Sequence, residues 1–442
     1  MGLDIAWMVG LLVAIALLGG MYVKRSAFSD PYIGDVQVFF RAAWAARTGE
    51  NLYTIEDDKG LMYHYPPLLA VALMPWANPP ADADTAGRWI VPWPATVTLW
   101  YVANVGFMAW GVCLVARAIE RRWAESWVGQ QPRFGLWWWL IRLTPILFAC
   151  TAIGRSLARG QMGSLLILAL CGMAAGLIDR KSVRAGLWLS LAICIKIIPA
   201  FLLLYPLWRR DGKCLGGCAA GLVLGLIVIP AGVMGPAATL HSFHDLATEV
   251  LLPGATESNG EARATELTAQ NRTDSNSIMT TLHNLQHFST ARPSNVDRWV
   301  KLVHWGSAIV LTLATLAAAG WKRRPGADSA AAILLFLGAL TIVHMVISPV
   351  FHPHYFAMSV VPITGLLVYV WQYRQPFPDL GWRWQAVLWS NVAVHLLTAL
   401  GIGVLRDSGL VLWGALFLWG VCVWTLWKVV RMDDHLSESV VA

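Results

Sequence analysis

Long apolar stretches, separated by short polar ones, dominate the chain. Apolar residues continue over a length that suits a membrane helix, about 20 residues, at many places. These segments are about 5–23, 95–117, 134–153, 160–178, 183–207, 214–234, 300–320, 329–348, 354–372, 384–404 and 409–430. A shorter segment, about 65–77, begins with Tyr65-Pro66-Pro67. The pattern predicts an all-α polytopic membrane protein with roughly ten to twelve transmembrane helices in a single domain.

Composition supports a membrane protein. Of 442 residues, 57% are hydrophobic and 13% are charged, whereas soluble proteins carry about 25% charged residues. The net charge of +7 raises the possibility of nucleic-acid binding. However, the basic residues lie in short loops beside apolar segments, which is the topology signal of membrane proteins. We therefore expect membrane lipids, and no nucleic acid, as partners.

The basic loops predict the orientation. Their members are Arg117, Arg121, Arg122, Arg180, Lys181, Arg184, Arg209, Arg210, Lys213, Lys322, Arg323, Arg324, Arg374, Arg383, Lys428 and Arg431. Placing them in the cytoplasm puts both termini there and two polar loops, 24–94 and 235–299, outside, with short helices expected in these loops. Two short turns, 154–161 and 348–354, reach the same outer face.

Three stretches complicate this topology. Lys24 and Arg25 fall outside, against the positive-inside rule. The segment 183–207 must enter and leave on the same side, or else consist of two short helices, and Pro199 near its centre favours a break. The segment 65–77 is re-entrant or interfacial. We take the first apolar segment as a retained membrane helix, because no basic leader precedes it and no clear cleavage site follows it.

Asp35 is the principal catalytic candidate. It follows Gly34 and precedes a helix-like apolar pattern. Two interpretations stay open, and both can hold together. Asp is a good helix N-cap, and a carboxylate in a partly dry cleft just outside the bilayer is suited to act as a general base.

Several outer cations suit a phosphate. Arg155 and Arg159 lie on a short glycine-flanked turn, where arginine either anchors a headgroup or pairs with phosphate. Lys196 sits deep in the 183–207 segment, where an ionisable group usually faces a cavity or a partner. His352 and His354 have metal-like spacing, but no carboxylate or cysteine accompanies them. Arg142 lies inside an apolar segment, and snorkelling is the simplest explanation for it.

Polar residues elsewhere carry weaker signals. His64 precedes a Tyr-Pro-Pro turn and is either solvated or a sugar or phosphate ligand. Asn276 and Ser277 precede a periodic apolar stretch, and they either cap its helix or bind a sugar. The sequence has no P-loop and no dinucleotide fingerprint, so a nucleotide-activated donor is not expected.

These motifs together resemble glycosyltransferase family 87, which belongs to the GT-C membrane fold. The resemblance runs from Gly34 to Tyr355 in the family's order. It rests on Gly34-Asp35, Tyr65-Pro66-Pro67-Leu68, Gly160-Gln161-Met162-Gly163, Lys196-Ile197-Ile198-Pro199, Asn276-Ser277 and His352-Pro353-His354-Tyr355. One departure is Ser275-Asn276-Ser277, where the family often has Asn-Gln-Ser. Its members include polyprenyl-phosphate-mannose-dependent mannosyltransferases.

The resemblance implies an inverting transfer of a sugar, with mannose favoured, from a polyprenyl-phosphate donor to a lipid or glycan hydroxyl. Asp35 would be the base. Cations at Arg155, Arg159, Lys196, His352 and His354 would hold the donor phosphate, and no metal or other cofactor is expected. The remaining substrate contacts would come from His64, Tyr65, Gln161, Asn276, Ser277 and Tyr355. The active site would face outward from a bacterial-type plasma membrane.

Three other functions stay open. Transfer of arabinofuranose or another pentose would use the same type of lipid carrier. A secondary transporter or lipid-linked-sugar flippase also has ionisable residues at membrane depth and broken helices. A non-catalytic scaffold would not need Asp35 and the outer cations on one face.

Overall fold

A computed structural model describes residues 2–29, 34–123, 135–252, 275–288, 293, 295–321, 325–373 and 381–441. Within these ranges the chain is helical, and its β-structure is a single bridge between Glu56 and Met62. Among the described residues, seven helices are long and apolar enough to cross a membrane, and five shorter apolar helices accompany them. The predicted all-α polytopic fold is therefore confirmed. Residues 30–33 and part of the second outer loop, 253–274, 289–292 and 294, lie outside the described residues, as do the basic residues Lys322, Arg323, Arg324 and Arg374.

The α-helices follow the predicted apolar segments closely. They are α1 (Gly2–Ala27), α2 (Val36–Thr48), α3 (Pro67–Leu73), α4 (Trp93–Arg122), α5 (Leu136–Ala158), α6 (Gly163–Ile178), α7 (Ser182–Ile195), α8 (Leu204–Trp208), α9 (Gly212–Leu222), α10 (Ile229–Met234), α11 (Pro236–Asp245), α12 (Ile278–Gln286), α13 (Arg298–Ala319), α14 (Ala330–Val346), α15 (Val360–Tyr373), α16 (Gly381–Ala399), α17 (Gly403–Asp407) and α18 (Leu410–Val441). Tighter 3₁₀ turns cover Met74–Trp76, Ile198–Leu203, Pro325–Asp328 and Pro353–Ser359, and wider π turns cover Val223–Val228 and Leu246–Leu251.

The helix bundle has two chemically different ends. At one end, which we call the loop end, Trp93 at the start of α4 donates to the Ser26 carbonyl, and Trp100 donates to the Gly160 carbonyl at 2.7 Å. At the other, which we call the basic end, Arg121 forms a 2.6 Å ion pair with Asp179. Helix α4 has 30 residues and is therefore about 45 Å long, enough to join both ends across a bilayer.

The segment 182–208 leaves the basic end and returns to it. Helix α9 runs parallel to α7, because Gly186 meets Cys214 near the start of both helices, and Gly225, in the π turn that follows α9, meets Cys194 near the end of α7. Helix α7 ends at Ile195, and Lys196 then adopts an extended conformation before the chain turns back through Ile198–Leu203 and α8. Lys196 therefore lies at the tip of a helical hairpin. The predicted break, and the predicted return to the same side, are both found.

The core is centred on α14, in which every residue is buried. Helix α6 is also almost entirely buried, and glycines allow its close contacts. A Cβ on Gly111 of α4 would lie 2.9 Å from the Cα of Leu168, and one on Gly338 of α14 would lie 2.6 Å from the Cα of Pro362. Small residues at such crossings allow membrane helices to approach closely. In contrast, α1 exposes most of its apolar side chains, as a helix that faces lipid would.

Two expectations from the sequence are wrong in detail. The predicted turn 154–161 is mostly helix, because α5 continues to Ala158 and the turn proper begins at Arg159. Gly154 lies within this helix, and a Cβ added to it would meet nothing within 4 Å. Arg142 does not snorkel. It is 4% exposed, and its two Nη atoms bind both carboxylate oxygens of Glu120 at 2.6 and 3.0 Å. The charge of a membrane arginine is thus paired inside the protein.

Candidate active site

Asp35 stands at the N-terminus of α2, as the sequence predicts for a helix cap. Its side chain, however, makes no capping hydrogen bond. The Oδ2 atom instead accepts a hydrogen bond from Gln161 Nε2 at 2.5 Å, and the side chain is half-buried. The carboxylate thus points toward the turn between α5 and α6, and it is not used to stabilise its own helix.

The turn at residues 159–162 holds Asp35 by its backbone as well. The Asp35 N–H donates to the Arg159 carbonyl at 2.9 Å. Gly160 makes this approach possible because it has φ +66°, and a Cβ there would lie 2.6 Å from the Cβ of Val36. Glycine is the residue that adopts such a backbone without strain. The close contact with α2 therefore explains why glycine directly precedes Gln161 in the sequence.

Lys196 lies between two tyrosine rings at the tip of its hairpin. Its Nζ atom is 3.7 Å from the centre of the Tyr355 ring and 5.5 Å from the centre of the Tyr65 ring. Tyr65 in turn packs on Phe39, one turn along α2 from Asp35, with ring centres 5.6 Å apart. Cation–π contacts hold an ammonium group in place without neutralising it.

The 348–354 turn brings two histidines to the same place. His352 and His354 stack with ring centres 5.4 Å apart, and His354 is 3% exposed. Its Nε2 has no hydrogen-bond partner among the described residues. The ring of His354 also packs on Tyr355 with ring centres 4.5 Å apart, and Lys196 lies on that tyrosine. The charges of Lys196 and of Arg155 and Arg159, at the end of α5, all act on the His354 ring.

Residues 275–277 brace this turn from the second outer loop. The Asn276 N–H donates to the Phe351 carbonyl at 2.6 Å. Ser277 Oγ donates to the Pro349 carbonyl at 2.9 Å and also accepts from the Thr280 N–H at 3.1 Å. Ser277 is therefore the N-cap of α12, one of the two roles left open by the sequence, and it is fully buried.

A small cavity lies beside Lys196. Apolar side chains form most of its wall, and Lys196, Ser348 and Tyr355 contribute its polar part together with His344. His64, half-buried, sits where the first outer loop reaches Tyr65. Four separated stretches of sequence thus meet at one end of the bundle, as the topology prediction requires. The described residues place no three His, Cys, Asp or Glu side chains in a metal-holding group.

Sequence reasoning missed some residues at this end. Lys59 donates to the Gly34 carbonyl at 2.6 Å, directly before Asp35. On α16, the His395 carbonyl and the Thr398 hydroxyl both accept from Arg155. A histidine inside the apolar segment 384–404 was an available signal for this helix.

The arrangement combines two chemical capacities. Asp35 can accept a proton, and the cluster of cations around His354 can stabilise an anion. The fold and the site together define a polytopic membrane protein that places a carboxylate beside a cationic cluster at one end of its helices.

The chain belongs to glycosyltransferase family 87, whose sequence profile matches residues 63–349. The resemblance read from the motifs is therefore confirmed. The matched range contains Tyr65, Arg155, Arg159 and Lys196, whereas Asp35 and the two histidines lie outside it.

Two known proteins are similar over part or most of the chain. A polyprenol-phosphate-mannose-dependent alpha-(1-2)-phosphatidylinositol mannoside mannosyltransferase of Mycobacterium tuberculosis (strain ATCC 25618 / H37Rv) is 26% identical over 247 residues. The match spans about half of each protein, 52% of this chain and 52% of the relative. A crystal structure of ArnT from Cupriavidus metallidurans bound to undecaprenyl phosphate aligns with a TM-score of 0.38 and 14% identity, over 96% of this chain and 77% of ArnT.

Proposed function

We propose that this protein is an inverting membrane glycosyltransferase that moves a sugar from a polyprenyl-phosphate donor to an acceptor hydroxyl. The observation that carries the proposal is the link between Asp35 and the cationic cluster. Asp35 bonds to Gln161 and, through its backbone, to Arg159, and the charge of Arg159 acts on His354. A proton acceptor and an anion-stabilising group therefore share one site.

The cationic cluster suits a leaving phosphate. Arg155, Arg159 and Lys196 come from α5, the following turn and the hairpin tip, and their charges converge on one buried imidazole. The three cations are half-buried, and cations that are partly shielded from water and held in place stabilise a developing anion more strongly than cations in water do. For this reason we expect no metal requirement. The mainly apolar cavity beside Lys196 lies where the first carbons of a lipid phosphate would enter.

The reaction that follows from this geometry is a single displacement. Asp35 takes the proton of the acceptor hydroxyl, whose oxygen attacks the anomeric carbon of the sugar. The bond from that carbon to the phosphate oxygen breaks, and the polyprenyl phosphate leaves with the electron pair. Attack on the face opposite the leaving group inverts the anomeric centre. Inversion requires Asp35 and the cations to act on opposite sides of the sugar, and this is the arrangement that we propose.

Mannose is the sugar that we propose, because the mycobacterial relative is named for a polyprenol-phosphate-mannose donor. His64, Tyr65, Gln161, Asn276, Ser277 and Tyr355 remain proposed substrate contacts. For the acceptor we propose a lipid-linked or glycan hydroxyl. The donor series below includes a pentose, which tests the main enzymatic alternative.

The site is proposed to face away from the cytoplasm. Arg121, Arg142 and Lys428 lie toward the end of the bundle opposite Asp35, and the positive-inside rule assigns that end to the cytoplasm. Helix α1 reaches the loop end at Ser26, which bonds to Trp93, and α18 begins there beside α12 and α17. Both termini would therefore be cytoplasmic, in a plasma membrane.

The test is transfer by purified protein in detergent. Labelled polyprenyl-phosphate mannose, glucose and arabinofuranose are offered to wild type, to Asp35→Asn and to Glu50→Gln, with and without a metal chelator. Glu50 is an exposed carboxylate just beyond the opposite end of α2 and serves as the matched control.

We expect wild type and Glu50→Gln to transfer mannose with inversion, with or without the chelator, and Asp35→Asn to lose at least about a hundredfold in rate. Equal rates for Asp35→Asn and wild type would remove Asp35 from catalysis. Failure of wild type with every donor would overturn the proposed function.

A further inference from the structure

Helix α16 is attached to α5 at two points along one face. Phe148 of α5 accepts a hydrogen bond from Asn391 Nδ2 at 2.8 Å through its carbonyl oxygen, and its ring packs edge-on against Trp389. Arg155, seven residues after Phe148 on α5, donates to Thr398, seven residues after Asn391 on α16. Seven residues are about two helical turns, or about 10 Å. The two helices therefore run side by side and in the same direction up to the loop end.

The second attachment point is the guanidinium of Arg155. Its Nη2 atom donates to the His395 carbonyl at 2.9 Å and to the Thr398 hydroxyl at 3.0 Å. The Thr398 hydroxyl donates in turn to the same His395 carbonyl at 3.0 Å, so three polar groups form a closed triangle. His395 is 1% exposed, and its ring packs on Phe356, which fixes the carbonyl that receives both hydrogen bonds.

This triangle orients a side chain that is otherwise costly to order. A free arginine side chain carries about 2 kcal/mol of rotamer entropy, which is lost when it binds an anion. Hydrogen bonds from one nitrogen to two fixed oxygens hold the guanidinium before the ligand arrives. The charge of the same group acts on His354 in the cationic cluster. His395, whose carbonyl the guanidinium binds, packs on Phe356, two residues beyond His354. The hydroxyl of Thr398 therefore lies one hydrogen bond from an arginine at the edge of the proposed phosphate site.

We propose that Thr398 is a positioning residue for the donor phosphate, and that it acts by orienting Arg155. Thr398 lies on α16, beyond the range 63–349 that the family profile matches. This inference rests on the proposed function, because it assigns the oriented guanidinium to the lipid-phosphate donor.

The test compares three variants of α16: one without the Thr398 hydroxyl, one that keeps it, and one without a different hydroxyl. Thr398→Val keeps the shape of the side chain and removes the hydroxyl, and Thr398→Ser keeps the hydroxyl. Ser390→Ala removes another hydroxyl of α16, one that bonds within its own helix to the Val387 carbonyl. For each protein, donor KM and kcat, affinity for undecaprenyl phosphate by intrinsic tryptophan fluorescence, and the unfolding temperature are measured.

We expect Thr398→Val to raise both the donor KM and the Kd for undecaprenyl phosphate about tenfold, the loss typical of one hydrogen bond to a charged group. Its kcat and unfolding temperature should stay near those of wild type. Thr398→Ser and Ser390→Ala should match wild type in every measurement.

The other outcomes separate the two proposals. If wild type transfers sugar and Thr398→Val has the same KM and Kd, this inference is overturned and the proposed function stands. If Thr398→Val lowers kcat and the unfolding temperature together without changing the Kd, Thr398 has only a structural role. If wild type neither binds undecaprenyl phosphate nor transfers sugar, both proposals fall.

Discussion

Gly160 is the residue at which a single methyl group tests the link between the turn and Asp35. It has φ +66°, and an added Cβ would lie 2.5 Å from the Tyr22 hydroxyl and 2.6 Å from the Cβ of Val36. Real Cβ atoms essentially never come closer than 3.0 Å to a neighbour. The Gly160→Ala variant must therefore push the turn away from α2 by about half an ångström, or strain it in place.

Two effects set the magnitude of this change. A left-handed backbone costs an L-residue about 1–2 kcal/mol, and overpacking in a filled site costs about 1–3 kcal/mol. We therefore expect Gly160→Ala to lose about 2–5 kcal/mol of unfolding free energy. The neighbours of Gly160 hold Asp35 by a backbone and a side-chain hydrogen bond. Since a misplacement of about 1 Å can cost a hundredfold in rate, we expect transfer to fall at least tenfold.

The assay is thermal unfolding in detergent, followed by the rate of sugar transfer from polyprenyl-phosphate mannose. Gly154→Ala is the matched control, because Gly154 is helical and nothing lies within 4 Å of its added Cβ. Alanine in a helix interior is favoured over glycine by about 1 kcal/mol, so this control should be as stable as wild type or more so. A Gly160→Ala variant with wild-type unfolding temperature and rate would refute the placement of the turn against α2.

Three further predictions concern stability, and unfolding in detergent checks each of them. Gly186→Ala should lose about 1–3 kcal/mol, because its Cβ would lie 2.0 Å from a carbonyl of α9, whereas Gly216→Ala, with nothing within 4 Å, should lose none. Arg142→Leu should lose about 3 kcal/mol of unfolding free energy, because it leaves the Glu120 carboxylate without its partner. The double variant Arg142→Leu with Glu120→Gln should recover part of that loss, and no recovery would argue against the ion pair. Burial raises the pKa of the Asp57 carboxyl, so the folded state binds this proton more tightly than the unfolded state does. The unfolding free energy of wild type therefore falls as pH rises from about 4 through the pKa of folded Asp57. Asp57→Asn should therefore unfold at a higher temperature than wild type at pH 7, by a margin that disappears below pH 4.

Local sequence signals were sufficient for the helices and for the break at Lys196. Apolar runs of membrane length predict helices directly, and a lysine followed closely by Pro199 predicts that the helix ends near it. The same signals placed Asp35 before α2 and Ser277 before α12. In each of these cases the cause lies within a few residues of the effect.

Contacts between distant segments were not predictable in this way. Arg155 and its partner His395 are 240 residues apart in the chain, and no local pattern connects them. The same holds for Arg142 and Glu120, which are 22 residues apart on two helices. The sequence identified Arg142 as an unusual residue, but its partner depends on the rotation of α5 against α4, which only the packed structure fixes.

The two ends of the bundle treat their cations differently, and this difference bears on the proposed mechanism. At the basic end, Arg121 and Arg142 bind carboxylates, which neutralise them. At the loop end, Lys196 lies against the rings of Tyr65 and Tyr355. Neutral partners fix the position of a cation but leave its charge available to a ligand. Like charges that act on one buried ring repel each other, so the proposed donor phosphate would relieve this repulsion as well as forming its own bonds. On the proposed function, the tyrosine rings therefore hold Lys196 in place with its charge available before the donor arrives.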